Sequence, residues 1–125
     1  MPGGDAEDLR GQRWHVEGDR DLLALHDQGG RIASHTYPDA LARAWSALRT
    51  RTAGEVLASA RPGYEFLDWG GAHHVGGGSH GSLHRVDSEG VLLMAGVEGP
   101  AERGAGDSWC LVDVAPMAVS HFLRR

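Results

Sequence analysis

Residues 73–84 read HHVGGGSHGSLH, and this stretch restricts the fold most because it suits neither a helix nor a strand. The three consecutive glycines at 76–78 allow positive φ angles and let the backbone approach a ligand closely. Four of the eight histidines fall in this stretch. Neutral imidazole binds zinc and similar ions, and successive backbone N–H groups can face an anion. We therefore expect a loop that presents a histidine to a metal beside a phosphate-like group; the alternative is a flexible surface loop with solvated histidines.

Spacing alone does not decide between these alternatives. His80 and His84 are four residues apart, but the Gly-Ser pair between them forms helices poorly. The chain has no HExxH motif, and no set of three ligands can be read from the histidines by count.

Composition limits the classes of protein. A chain of 125 residues, with 41% hydrophobic and 23% charged residues, has room for one globular domain with a modest core. A net charge of −5 argues against nucleic acid or an acidic membrane as a partner held by bulk electrostatics. Cys110 is the only cysteine, which excludes an internal disulfide and a cysteine-based zinc site. No apolar run is as long as a membrane span, and the polar first residues do not form a signal peptide, so we expect a cytoplasmic protein.

The clearest local pattern predicts a helix over residues 37–50. Leu41, Trp45 and Leu48 are spaced so that they share one helix face, and Thr36 is a suitable N-cap. A second helix is predicted over 114–123, with Asp113 as its cap.

Short strands are predicted between and around these helices. They cover 31–36 after the Gly29-Gly30 turn, 55–60, 64–69 and the apolar run 91–96, while 1–12 is expected to be a flexible leader and 97–108 a loop. Alternation of helices with short buried strands predicts an α/β fold, with short central strands and flanking helices.

Three motifs in order resemble a known family. The stretch GGGSHGSLHRVDSEGVLLMAG, followed after a loop by LVDVAPMAVSHFL, is similar to the C-terminal part of the alkaline phosphatase superfamily, in its type I phosphodiesterase/nucleotide pyrophosphatase-like branch. In that family a G-x-H-G motif supplies a histidine ligand to one of two active-site metals, a short strand follows, and a DVAP helix closes the fold. The resemblance makes His80 the metal ligand and residues 13–125 the C-terminal portion of an alkaline-phosphatase-like layered domain.

The resemblance implies a metal-dependent phosphoric ester hydrolase. Its site would hold two zinc ions or other divalent metals, one activating a Ser or Thr nucleophile and the other stabilising the leaving oxygen. The chain has no Asp-His doublet and no serine in a recognisable nucleophile context, so no catalytic residue is identified. We expect the isolated chain to be inactive and to need a complementing N-terminal portion, with a phosphate ester as substrate, or to self-associate.

Two other functions remain open. A sulfatase-like or mutase-like relative would use the same metal scheme. In a different class, the chain would be a non-catalytic remnant that binds a metal or anion, or a protein-interaction module.

Four further residues are candidates near His80. His74 is an additional ligand or substrate contact, and Asp87 can accept a hydrogen bond from a metal-bound histidine or cap the turn before 91–96. The hydroxyls of Ser79 and Ser82 flank His80 and are expected to hold the loop rather than attack a substrate.

Overall fold

The computed structural model describes residues 1–67, 70, 81–97 and 109–123, and every structural statement below concerns these residues. The chain divides into two units, Met1–Glu89 and Gly90–Arg125, which are described separately. The described residues combine helices with two small antiparallel sheets, so the mixture of α and β structure is confirmed. No helix among them has both the length and the apolar character needed to cross a membrane.

The first sheet pairs β1 (Pro2–Glu7) with β2 (Arg13–Trp14). Asp8 organises the turn between them, because its Oδ1 atom accepts hydrogen bonds from the backbone N–H groups of Arg10 and Gln12, both at 2.9 Å. The segment expected to be a leader therefore contains a hydrogen-bonded strand, which a polar composition did not indicate.

The second sheet is a hairpin of β3 (Leu25–Gln28) and β4 (Arg31–Ser34). Gly29 and Gly30 both have positive φ, at 63° and 80°, as a two-residue type I′ hairpin turn requires. The strand predicted after the glycine pair is confirmed, although it ends at Ser34 rather than at residue 36.

Helix α1 (Ala40–Leu48) confirms the predicted helix but begins three residues later. Thr36 is not its cap. The residue before the helix is Asp39, whose φ of 48° is left-handed and whose side chain makes no capping hydrogen bond. Residues before it form a turn, in which the Ser34 hydroxyl accepts a hydrogen bond from the N–H of Tyr37 at 3.0 Å. Residues 37–39, which were predicted to form the first turn of the helix, therefore lie before it.

The prediction of strands over 55–60 and 91–96 is wrong, because neither range forms a strand. Of the strand predicted over 64–69, residues 64–67 are described and have no regular structure. Val56, Val91 and Leu93 are 85%, 87% and 88% exposed, so the two apolar runs are not buried. An extended segment becomes a strand only when a neighbour completes its hydrogen bonds, and neither run pairs with another described residue. Residues 68 and 69, and residues 98–108 of the predicted loop 97–108, lie outside the described residues.

The second unit contains α3 (Leu111–Leu123), the longest of the described helices. It begins three residues before its predicted start, so Asp113 lies in its first turn and is not its N-cap. The Asp113 carboxylate instead reaches back to accept a hydrogen bond from the N–H of Cys110 at 2.8 Å, as the side chain at position N3 of a capping box does. Pro116 falls in the second turn, where it leaves the carbonyl of Val112 without its usual intrahelical donor.

One face of α3 is an apolar stripe of Leu111, Ala115, Val119 and Phe122, spaced to share one side of the helix. All four are exposed, Leu111 by 85% and Phe122 by 70%. Met117, on the opposite side, is the only one of the helix's residues that is buried. The helix therefore presents its more apolar side to solvent.

Candidate functional site

The candidate residues divide between the described and undescribed parts of the chain. His74, Ser79 and His80 lie outside the described residues, so the metal-ligand role of His80 stays a prediction. Ser82 and Asp87 are described, and the description resumes at Gly81, directly after His80, with a left-handed φ of 102°. The structure therefore describes the residues that directly follow the predicted metal ligand in sequence.

Ser82 is half-buried and holds the backbone just after the stretch that the sequence predicts to be a loop. Its Oγ accepts a hydrogen bond from the N–H of His84 at 2.9 Å and lies 3.3 Å from the Oγ of Ser59. The same oxygen lies 3.5 Å from the carbonyl of Ala60. These partners are those of a hydroxyl that fixes a loop, and none of them prepares it for nucleophilic attack.

Helix α2 (Arg85–Ser88) follows at once, and His84 is its N-cap. The Nδ1 atom of His84 accepts a hydrogen bond from the N–H of Val86 at 3.3 Å. The Nδ1 atom of His84 is therefore engaged by the backbone of the helix that it caps. The ring also meets Tyr37 edge to face, with centroids 6.1 Å apart. His84 is thus a capping residue.

Asp87 lies on the exposed side of α2. Its N–H donates to the carbonyl of His84 at 3.1 Å, whereas its carboxylate makes no hydrogen bond within the described part of the chain. It does not cap a turn before 91–96 there. Its role as an acceptor for a metal-bound histidine stays a prediction.

Arg43, on α1, also binds residues 82–88. Its Nη1 donates to the carbonyl of Leu83 at 2.9 Å and to that of Pro38 at 3.3 Å, and its Nη2 donates to the Oγ of Ser88 at 2.8 Å. The sequence does not point to Arg43, because an arginine beside the apolar face of an amphipathic helix is typical of a solvated position. Only its contacts across 40 and 45 residues of sequence identify it.

Two further backbone contacts complete the attachment. The N–H of Leu83 donates to the Oγ of Ser59 at 3.0 Å, and the N–H of Arg85 donates to the carbonyl of Thr36 at 2.9 Å. Residues 82–88 are therefore bonded to two separate parts of the first unit. One part is α1 with the turn that precedes it, and the other is the segment around Ser59.

Elsewhere, the described residues contain no group of three or more His, Cys, Asp or Glu side chains able to hold a metal ion. The rings of His26 and His35 are stacked, with centroids 4.2 Å apart. The Nε2 atom of His26 is buried and has no hydrogen-bond partner among the described residues. Two stacked rings without a third donor do not fit the tetrahedral ligand set that zinc requires.

Comparison with known proteins identifies no relative: no family model, no curated protein and no solved structure matches the chain.

Proposed function

We propose that this chain contributes a histidine metal ligand, His80, to the two-metal site of a phosphoric ester hydrolase of the alkaline phosphatase superfamily type. The observation that carries the proposal is the order of three motifs: SHGS, then the apolar run VLLMAG, then DVAPMAVSHFL. A second portion of polypeptide would supply the Ser or Thr nucleophile and the acidic ligands, for which the chain offers no recognisable motif.

The distribution of apolar side chains is consistent with a domain that needs completion. Five apolar residues of the described part are buried: Trp14, Ile32, Ala33, Ala40 and Met117. Among the same described residues, twenty large apolar side chains are exposed, including most of VLLMAG and of α3. In the proposed complete domain, the apolar run 91–96 would gain the neighbouring strands that it lacks in the described residues.

The chain's own residues would perform limited tasks in that site. A divalent metal held by His80 would stabilise negative charge on the phosphoryl oxygens or the leaving oxygen. Ser82, Arg43 and Ser59 would hold the backbone that follows this ligand, and His84 would remain a helix cap.

The test is reconstitution. The 125-residue chain is co-expressed with the N-terminal portion of a related hydrolase that supplies the missing motifs, and turnover of p-nitrophenyl phosphate and its bis-ester is measured with zinc. We expect turnover from the pair and its loss in His80→Ala. His15→Ala is the matched control, because His15 is exposed and pairs only loosely with Glu17, at 3.9 Å. Equal turnover with His80→Ala and His15→Ala would exclude the proposed ligand.

A second candidate function is a non-catalytic interaction module. The exposed apolar stripe of α3 favours it, because large contiguous apolar surfaces mark protein contacts. A chain that remains monomeric and gains no activity from any complementing portion, but captures one specific partner through α3, would favour this candidate.

A further inference from the structure

We propose that residues 36–39 form a two-state switch between a docked turn and an additional turn of α1. The docked turn is the conformation of residues 36–39 that the structure describes, with residues 82–88 bound against it. In the alternative conformation, the helix begins at Tyr37 and Thr36 is its N-cap. The switch is independent of the proposed metal site, because it involves only described residues of the first unit.

The sequence encodes the helical alternative. Residues 36–39 read Thr-Tyr-Pro-Asp, which is the T-x-x-D pattern of a capping box. In such a box the hydroxyl of Thr36 would accept from the N–H of Asp39, and the carboxylate of Asp39 would accept from the N–H of Thr36. Pro38 would lie in the first helical turn, where its missing N–H removes no intrahelical hydrogen bond. The local sequence therefore favours a helix three residues longer than α1.

The conformation of Asp39 in the docked turn is unfavourable by itself. Its φ of 48° and ψ of 41° are left-handed, a region that residues other than glycine adopt at a cost in free energy. Ala24 also has a positive φ, but it ends a helical turn, where left-handed residues are common. Asp39 instead precedes a helix, where an extended residue is usual, and its side chain makes no capping hydrogen bond within the described part of the chain. Other contacts must therefore stabilise the docked turn.

Residues 82–88 supply hydrogen bonds to the docked turn. The N–H of Arg85 donates to the carbonyl of Thr36 at 2.9 Å. The Nη1 atom of Arg43 donates to the carbonyls of Pro38 at 3.3 Å and of Leu83 at 2.9 Å, so one guanidinium joins the docked turn to the attached segment. A planar group with its donors in a fixed fork restrains both partners in distance and orientation.

The same groups would have different partners in the longer helix. The carbonyl of Thr36 would accept from the N–H of Ala40, four residues along, rather than from Arg85. The ring of Tyr37, which meets His84 edge to face with centroids 6.1 Å apart, would turn with the helix and leave that contact. Attachment of residues 82–88 and extension of α1 therefore oppose each other.

This opposition couples two segments that are distant in sequence. A partner that binds residues 82–88 and removes them from the first unit would favour the longer helix, which would extend α1 by about 4.5 Å. Conversely, a change that stabilises the longer helix would weaken the attachment of residues 82–88 by the same factor. The first unit would thus convert the loss of this segment into a change in the length of α1.

The test compares the full 125-residue chain with its Arg43→Ala variant by NMR. The substitution removes the hydrogen bonds of Arg43 to Pro38, Leu83 and Ser88. We expect the population of the longer helix to rise by about tenfold or more. The Cα chemical shifts of residues 37–39 should move toward helical values, and a nuclear Overhauser effect should appear between the Hα of residue 37 and the methyl group of residue 40, which adjoin in a helix.

Thr36→Val in the Arg43→Ala background separates helix formation from simple loosening. Thr36 bonds Arg85 through its backbone carbonyl, which valine keeps, whereas the capping hydroxyl is lost. The helical signals should therefore disappear in the double variant. Arg49→Ala is the second control, because Arg49 lies over the ring of Trp45, 5.1 Å from its centroid, at the other end of α1. It should leave the docked turn unchanged.

Two substitutions of Asp39 test the switch if Arg43→Ala does not fold. Asp39→Gly should favour the docked turn, because glycine adopts left-handed angles freely and forms helices poorly, and it should slow amide exchange of Arg85 about fivefold. Asp39→Glu should accelerate this exchange, because glutamate keeps the carboxylate of the capping box but lacks the tolerance of aspartate for left-handed angles.

Three results would overturn the proposal. In Arg43→Ala, residues 36–39 would keep the docked turn or lose their structure without any helical signal. In the double variant, the helical signals would persist without the hydroxyl of Thr36. In the Asp39 variants, exchange of Arg85 would be equal or would change in the opposite directions.

Discussion

The indole Nε1–H of Trp14 donates a 2.7 Å hydrogen bond to the Oδ2 atom of Asp8. Trp14 is 4% exposed and is the largest of the buried apolar residues in the described part of the chain. The other carboxylate oxygen of Asp8, Oδ1, accepts the hydrogen bonds that hold the turn between β1 and β2. One acidic side chain therefore satisfies the polar atom of the buried indole and closes the first sheet.

Asp8→Ala is expected to lower the free energy of unfolding by about 1–3 kcal/mol, since it removes hydrogen bonds to a charged acceptor and leaves a buried indole N–H without a partner. The measurement is urea unfolding followed by tryptophan fluorescence and circular dichroism. Asp5→Ala is the control, because Asp5 is fully exposed and lies 3.6 Å from Arg13 in a surface ion pair. Equal unfolding midpoints for the two variants would contradict the role assigned to Asp8.

Gly4→Ala should also destabilise the first sheet. A Cβ atom at this position would overlap the backbone of Trp14 and His15, and a backbone neighbour cannot move away as a flexible side chain can. We expect a loss of more than about 1 kcal/mol in unfolding free energy. Gly54→Ala is the comparison, because the nearest atom to its Cβ would be 3.9 Å away, and it should be neutral or slightly stabilising. Unchanged stability in Gly4→Ala would show that the two strands are not so closely paired.

Zinc binding by the chain alone should be weak and should depend on His80. Catalytic zinc sites usually have three protein ligands, and the sequence offers only His80 and His74 as candidates. Competition with a colorimetric chelator should detect weak binding that His80→Ala abolishes and His15→Ala preserves. Tight binding that survives His80→Ala would identify another set of ligands.

The chain alone should not hydrolyse p-nitrophenyl phosphate or its bis-ester, even with added zinc. Groups that act as one catalytic unit lose almost all activity when one of them is absent. A chromogenic assay at high protein concentration measures this, with His80→Ala as the background. Zinc-dependent turnover above that background would mean that the chain contains a complete site.

Self-association should depend on the apolar stripe of α3. Phe122→Glu places a charge in this stripe and should shift the chain toward monomer in sedimentation velocity at micromolar concentration. Leu22→Glu is the control, because Leu22 is similarly exposed, at 76%, but belongs to the first unit. If the two substitutions reduce association equally, the contact is not specific to α3. A parent chain that is already a monomer would remove the self-association hypothesis.

Sequence patterns predicted the elements that form through contacts between residues close together in the chain. The periodicity of Leu41, Trp45 and Leu48 identified α1, and the Gly29-Gly30 pair identified the hairpin. The exact caps were missed because two short-range hydrogen bonds compete with the simplest cap: the Ser34 hydroxyl forms a turn before α1, and Asp113 reaches back from inside α3.

Features that depend on distant partners were not predictable. The runs 55–60 and 91–96 have apolar compositions suited to strands, yet strand formation depends on neighbours that their own residues do not specify. In the same way, the roles of Arg43 and Ser59 arise from contacts to residues 24 to 45 positions away. The histidine of greatest interest, His80, was selected from its glycine context and family resemblance, and its ligand role stays a prediction.

The position of Cys110 has a practical consequence. It is the sole thiol of the chain, it is half-buried, and it directly precedes α3. A maleimide dye or nitroxide would therefore attach at one place without any engineered cysteine. Because its backbone N–H is tied to Asp113, the label would follow the start of α3 and report, through fluorescence anisotropy or spin mobility, when a partner or a second copy covers that helix.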